Sequence, residues 1–201
     1  CMKRLWPGLR RKQRQYRVVL SHDVDQPFSV IGSSPMHVAR NVMGDLIRRK
    51  DVRLAIQRIA AYASPGAKRE RLDPNATFDF IMDVSEKHGL CSAFYFMSVD
   101  KPSKFDDGYP IGGGHTRRVL QRIASRGHEI GFHASYNAFR DLALARAELG
   151  TLCEVLDEEF IARKPIGGRQ HYLRWEAPLT WRIWDELGLT YDSTVGFPYD
   201  P

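Results

Sequence analysis

Long hydrophobic runs are missing from this 201-residue sequence: no apolar stretch approaches the roughly eighteen residues a membrane-crossing helix requires. The opening Cys-Met-Lys-Arg-Leu-Trp-Pro has no apolar core of the secretory-signal type. Cysteine is scarce, and Cys1, Cys91 and Cys153 are too far apart to form a C-x-x-C, which excludes a zinc ribbon and a redox pair. Cys91 and Cys153 read as small buried hydrophobes, and a reducing, cytoplasmic setting is expected. Internal repeats and low-complexity tracts are absent. So are paired zinc-finger ligands and aromatic RNA-binding stretches, and no nucleic-acid partner is expected. Acidic residues are missing from positions 1–17, which carry Lys3, Arg4, Arg10, Arg11, Lys12, Arg14 and Arg17.

That last absence explains the charge. The formal charge is +6, yet removing those seven basic residues leaves 23 basic against 24 acidic in the remainder. The basic character therefore belongs to an arm, residues 1–16, which could touch nucleic acid or anionic lipid but reads most simply as a solvated tail. Hydrophobic residues make up 43% and charged residues 27%, the balance of one globular domain with a real core, placed at residues 17–201.

Short apolar runs alternate with amphipathic ones. Arg17–Leu20 reads as a strand delivering Ser21–Asp25, and residues 37–63 as a helix that Gly44 interrupts. Pro65-Gly66 and Asp73-Pro74 punctuate a basic loop, and Thr77–Lys87 is a second helix. Cys91–Met97 is a buried aromatic strand, Arg117–Ser125 a helix, Glu129–His133 a strand and Phe139–Ile161 a long helix. Pro165–Tyr172 forms a turn and strand, Leu179–Leu187 a helix, and Thr190–Asp192 starts another strand. Such alternation predicts an α/β fold with a parallel sheet. About five strand–helix steps are visible where a closed barrel takes roughly 250 residues, so a partial or distorted (β/α) barrel is expected, from a chain that reads as truncated at its C-terminus.

Three polar clusters fall at C-terminal strand ends, Ser21–Asp25, His133–Asn137 and Arg169–His171, where α/β sheets build their active face. Alternation puts Asp23 and Asp25 on one side. Taken alone, Asp25 is a turn cap and His133 a satisfied core histidine. Three clusters at equivalent ends point instead to a mononuclear site for a borderline cation. Asp106-Asp107-Gly108, without an apolar strand before it, reads as a turn, and His115 and His128 as exposed or capping residues. Tyr136, Tyr172 and Trp175 fit either sugar stacking or core packing.

At these residues the chain resembles the polysaccharide deacetylase family, the NodB-homology carbohydrate esterases, over about residues 17–199. Ser21-His22-Asp23-Val24-Asp25 is a spaced variant of the family's Thr-Phe-Asp-Asp-Gly. Arg126-Gly-His-Glu-Ile-Gly-Phe-His133 is similar to the Gly-His-Glu-Ile-Gly-x-His that leads into its second motif. Arg169-Gln-His-Tyr172 with its trailing helix resembles the third. The likeness is greatest to the branch found with O-antigen and other surface-polysaccharide genes.

The resemblance implies a hydrolase that removes N-acetyl groups from a polysaccharide or O-antigen sugar with a divalent metal, zinc first and cobalt, nickel or manganese next. It implies Asp23 as catalytic base, Asp25 and His133 as metal ligands, and Arg169 as the residue that orients or charge-pairs with the base. The family's second histidine falls at Asn137, a weaker zinc ligand. His171, two residues after Arg169 and so on the same side of its strand, is the candidate replacement. The family's acid, a histidine near the domain end, has no counterpart after His171. Alternatives are a carbohydrate-binding protein without turnover and another C–N hydrolase on the same scaffold.

Overall fold

The computed structural model describes residues 16–99, 103–162 and 166–196 together with Gly8. The basic arm thus lies outside the described residues, apart from Gly8 and Tyr16. The short apolar runs form four strands, β1 (Leu20–Val24), β2 (Ser92–Phe96), β3 (Glu129–Ala134) and β4 (Gly168–Gln170). All pair in parallel and in chain order, with Asp23 beside Tyr95, Tyr95 beside Gly131, and His133 beside Arg169. An order without reversal belongs to a barrel wall rather than to a doubly wound sheet, and the sheet curls as half a barrel. The strand expected at Thr190–Asp192 is reduced to one parallel bridge, between Gly168 and Asp192.

Side-chain alternation sorts the two faces. Val24, Phe94, Phe96, Phe132 and Ala134 enter one core with α4 (Phe78–Lys87), α5 (Gly114–Ser125), α6 (Leu142–Glu158) and α7 (Leu179–Glu186). The inner face carries Asp23, Tyr95, His133 and Arg169. Tyr95 lies across Gly131, where a Cβ would sit 2.5 Å from its ring and 2.8 Å from the Gly167 carbonyl. Only glycine leaves room there for the aromatic ring.

Several element limits differ from expectation for local reasons. Residues 37–63 form two helices, α1 (Pro35–Ile47) and α2 (Val52–Ala63), and Gly44 lies inside the first. The break comes at Lys50, with φ 54°, followed by Asp51, whose carboxylate accepts the Leu54 N–H at 2.9 Å as an N-cap. Asp45 is fully buried between these helices and bound by Arg58 at 2.8 Å and Arg49 at 2.6 Å. The basic loop after Pro65 is a short helix, α3 (Gly66–Leu72). Asp73 beyond it accepts the N–H groups of Ser29 and Val30, both at 2.8 Å, and so ties down the loop after β1. The long helix begins only at Leu142, because Asp141 caps it through Leu144; a 3₁₀ turn, Ala138–Arg140, precedes it. His128 is buried, accepting the Ser92 N–H on Nδ1 at 3.0 Å, whereas Cys91 is exposed.

Backbone proximity between β3 and β4 generates a test. A Cβ on Gly168 would stand 2.2 Å from the Phe132 carbonyl oxygen. Gly168→Ala is expected to lower unfolding free energy by about 1–3 kcal/mol, the usual cost of overpacking, read as a reduced denaturation midpoint in urea. An unchanged midpoint would contradict this packing of β4.

Candidate metal centre

Strand alternation carries three donors to one point. Asp25 follows β1, His133 lies near the end of β3, and His171 follows β4 at the same parity as Arg169. Asp25 Oδ1 stands 3.2 Å from His133 Nε2 and 3.6 Å from His171 Nε2. The two imidazoles are 5.2 Å apart at their centroids and inclined by 71°, and the three donor atoms all lie within 4.8 Å of one another. Tetrahedral ligands on zinc, at about 2.0–2.1 Å from the ion, are separated from each other by about 3.3 Å. The two pairs that include Asp25 have that spacing.

The hydrogen bonds behind the rings decide what the rings present. His133 Nδ1 lies 2.9 Å from the Arg169 carbonyl, which can only accept, so Nδ1 carries the proton. His171 Nδ1 likewise meets the Asp106 carboxylate at 3.0 Å. Both rings, when neutral, therefore turn an Nε2 lone pair towards Asp25, the arrangement that outer partners impose on metal-bound histidines. His133 Nε2 and Asp25 Oδ1 are buried atoms without a hydrogen-bond partner. When the rings are protonated instead, the hydrogen bond His133 can donate from Nε2 holds the Asp25 carboxyl below the usual carboxylate range against the opposing effect of burial, and the charge of His171 acts in the same direction. Two lone pairs and an ionised oxygen converging on one point are a donor set for a divalent cation, and these residues fit it.

Asp23 is held separately. Arg169 donates from Nη1 to its Oδ1 at 3.0 Å, from Nη2 to Ser21 Oγ at 2.8 Å, and from Nε to the Ser193 carbonyl at 3.1 Å. The guanidinium also lies over the Tyr95 ring, 5.3 Å from its centroid. With all its nitrogens engaged, Arg169 keeps Asp23 aimed at the cleft. Asp23, Asp25, His133, Arg169 and His171 all line one cleft of about 930 Å³. Phe105, Tyr172 and Trp175 form its apolar wall, with Lys104 and Asp107 at the rim.

The turn that presents His171 is strained: Tyr172 and Leu173 have φ 56° and 53°, the left-handed region that costs a non-glycine residue on the order of 1–3 kcal/mol. Arg174 braces it. Its guanidinium is sandwiched between Tyr136 at 3.9 Å and Phe139 at 4.0 Å and donates to the Tyr136 carbonyl at 2.9 Å. Glu148 of α6 accepts the Ser135 N–H at 3.0 Å just past β3, and burial pushes its carboxyl up.

The structure thus brings together Asp23, Asp25, His133, Arg169 and His171, and leaves Asn137 out. Asn137 is exposed, with Oδ1 facing Arg174 Nη1 at 3.4 Å. Tyr136 is absent from the cleft wall because it packs under Arg174, and Phe105, stacked on Tyr136 at 4.0 Å, takes that place. Asp106 is the residue that sequence reading missed. Its loop is irregular rather than a simple turn, and its buried carboxylate binds His171, the Tyr136 N–H at 2.8 Å and Ser103 Oγ at 2.8 Å. The absence of a strand before it concealed it; the only available signal was a carboxylate pair in a loop between two site-bearing strands. No protein-family model, curated protein or solved structure matches the chain. Fold and site together define a class: a parallel α/β half-barrel with an aspartate and two histidines converging at its C-terminal strand ends.

Zinc content separates these roles. His133→Ala and His171→Ala should each lower zinc occupancy strongly and to a similar degree, while Asn137→Ala leaves it at the wild-type level. Asp106→Asn should weaken zinc affinity by about 10–100-fold, the usual effect of removing the partner of a ligand histidine. Elemental analysis after dialysis against a buffered zinc series reads all four. Wild-type occupancy in His171→Ala would remove it from the ligand set.

Proposed function

We propose that this protein is a metal-dependent hydrolase of the polysaccharide deacetylase type, which removes the acetyl group from an N-acetylated sugar of a surface polysaccharide or O-antigen. The observation that carries the reading is the joint placement of Asp23, clamped by Arg169, and the Asp25–His133–His171 donor set in one cleft. Three protein donors facing an open cleft are the catalytic, not the structural, pattern for zinc. His171 supplies the third donor that Asn137 does not, which favours turnover over a carbohydrate-binding protein without activity.

A divalent cation at this site, zinc before cobalt, nickel or manganese, supplies when bound a Lewis acid that polarises the amide carbonyl and acidifies water. Asp23 accepts the proton of the attacking water at a carboxylate oxygen, the work of a general base. Arg169, donating to Oδ1, keeps that carboxylate aimed at the cleft while it waits. As the oxygen–carbon bond forms and the carbon–nitrogen bond breaks, the proton held by Asp23 passes to the departing nitrogen, and the products are acetate and a sugar amine. Phe105, Tyr172 and Trp175 offer flat apolar faces to the sugar ring, with the Lys104 ammonium beside them.

Zinc-loaded full chain incubated with N-acetylglucosamine oligomers, sugar nucleotides and O-antigen fragments should release acetate from at least one class. Asp23→Asn should lower the rate by about 10²–10⁴-fold with zinc content unchanged. Failure to release acetate from any of them, with zinc bound, would overturn the reading.

A further inference from the structure

The α1–α2 hairpin presents a surface that neither the fold nor the cleft uses. On α1, Met36, Met43 and Ile47 share one side of the helix; on α2, Val52, Ile56 and Ile59 do the same. Single exposed apolar residues are ordinary, but these six are between 53% and 82% exposed and stand at helical spacing on consecutive helices. Each helix already buries its opposite side, Val38 and Asp45 on α1, Ala55, Arg58 and Ala61 on α2.

The charge around these stripes is one-sided. Arg40, Arg48, Lys50 and Arg53 are exposed and make no ion pair among the described residues. Of the hairpin's two acids, Asp45 is buried under Arg49 and Arg58, and Asp51, exposed, caps α2. A groove of about 830 Å³ on α1 mixes the two characters, with Arg40 and Arg48 beside Met43 and Ile47. A second copy of the chain would bring these same cations against one another, so self-association is opposed by like charge.

We infer that the α1–α2 hairpin docks on an anionic lipid bilayer, its methionine, isoleucine and valine side chains entering the headgroup boundary and its arginines and lysine meeting lipid phosphates. Apolar stripes with flanking cations are the interfacial-helix pattern, and the seven basic residues of positions 1–17 add a second, electrostatic signal in the same chain. Docking also has a place in the molecule's geometry. A cavity of about 370 Å³ is lined by Asp25 and Asp107 on one side and by His37 and Asn41 of α1 on the other. Through His37 and Asn41 the hairpin therefore borders a cavity that reaches Asp25. The inference rests on exposure and charge alone and holds whatever reaction the cleft performs.

Co-sedimentation with vesicles tests it, using phosphatidylcholine alone and phosphatidylcholine mixed with phosphatidylglycerol. The full chain should pellet with the anionic vesicles, weakly or not at all with the neutral ones, and be released as salt rises. Met43→Gln/Ile56→Gln, which removes apolar contact without adding charge, should lower vesicle affinity by about tenfold or more. Its circular dichroism and zinc content should match wild type, since both positions face solvent; Met36→Gln/Ile59→Gln repeats the test should the first pair misfold. Deleting residues 1–16 should weaken binding without abolishing it. No binding to anionic vesicles overturns the inference, as does unchanged binding by the glutamine pairs, which would assign all affinity to the arm. A concentration-dependent dimer in ultracentrifugation that the glutamine pairs dissolve would overturn it too, making a second copy the occupant.

Discussion

A hydrogen bond from His133 Nδ1 to the Arg169 carbonyl, at 2.9 Å, links every part of the candidate centre. It joins β3 to β4, where the two residues are register partners, and it sets which nitrogen of His133 keeps a free lone pair. The same residue whose carbonyl receives that bond sends its side chain across the half-barrel to Asp23 on β1. The orientation of the His133 ring and the aim of the Asp23 carboxylate thus depend on the backbone and side chain of Arg169. Gly168 and Gly131 allow the strands and Tyr95 to approach closely enough for this.

The third donor is held by a different device. His171 lies beyond the strand, on a turn with two consecutive left-handed residues, and a ladder cannot fix it. Asp106 fixes the ring from behind, while Arg174, packed between Tyr136 and Phe139, fixes the backbone in front. The contacts of Arg174 offset the local strain and occupy the surface where Asn137 sits. The side chain that meets Asn137 outside the site is the one that braces the turn carrying His171.

Two electrostatic designs coexist in the chain. Around the candidate centre, ionisable groups have definite partners: Arg169 with Asp23, His171 with Asp106, Glu148 with the Ser135 amide. Burial raises the cost of any unpaired charge there, so the unpartnered His133 Nε2 and Asp25 Oδ1 stand out. On the outer hairpin Asp45 is buried with Arg58 and exposed Asp51 caps a helix, while Arg40, Arg48, Lys50 and Arg53 face solvent, which leaves an excess of positive charge beside exposed apolar groups. Neutral balance in the body of the chain conceals this local separation.

Much of the fold was legible because it rests on short periods. Two-residue alternation puts Asp23 with Asp25 and Arg169 with His171, and three-to-four-residue spacing marks the helices that cover the sheet. Element limits were less legible where a single cap decided them, as Asp51 and Asp141 do, because a cap competes with an apolar pattern that runs on through it. Asp106 was not legible at all: it binds a ring 65 positions away from an irregular loop, and no local period encodes that meeting. The burial of His128 under the Ser92 amide, 36 positions away, was hidden for the same reason. By itself, then, the sequence determined the strand–helix alternation and the facing of the polar residues at each strand end, since both follow from backbone geometry within a few residues. Only the tertiary structure decided that His171 and not Asn137 stands with Asp25 and His133, because that choice depends on the path of the loops beyond the strands and on the contacts of Asp106 and Arg174 that hold them.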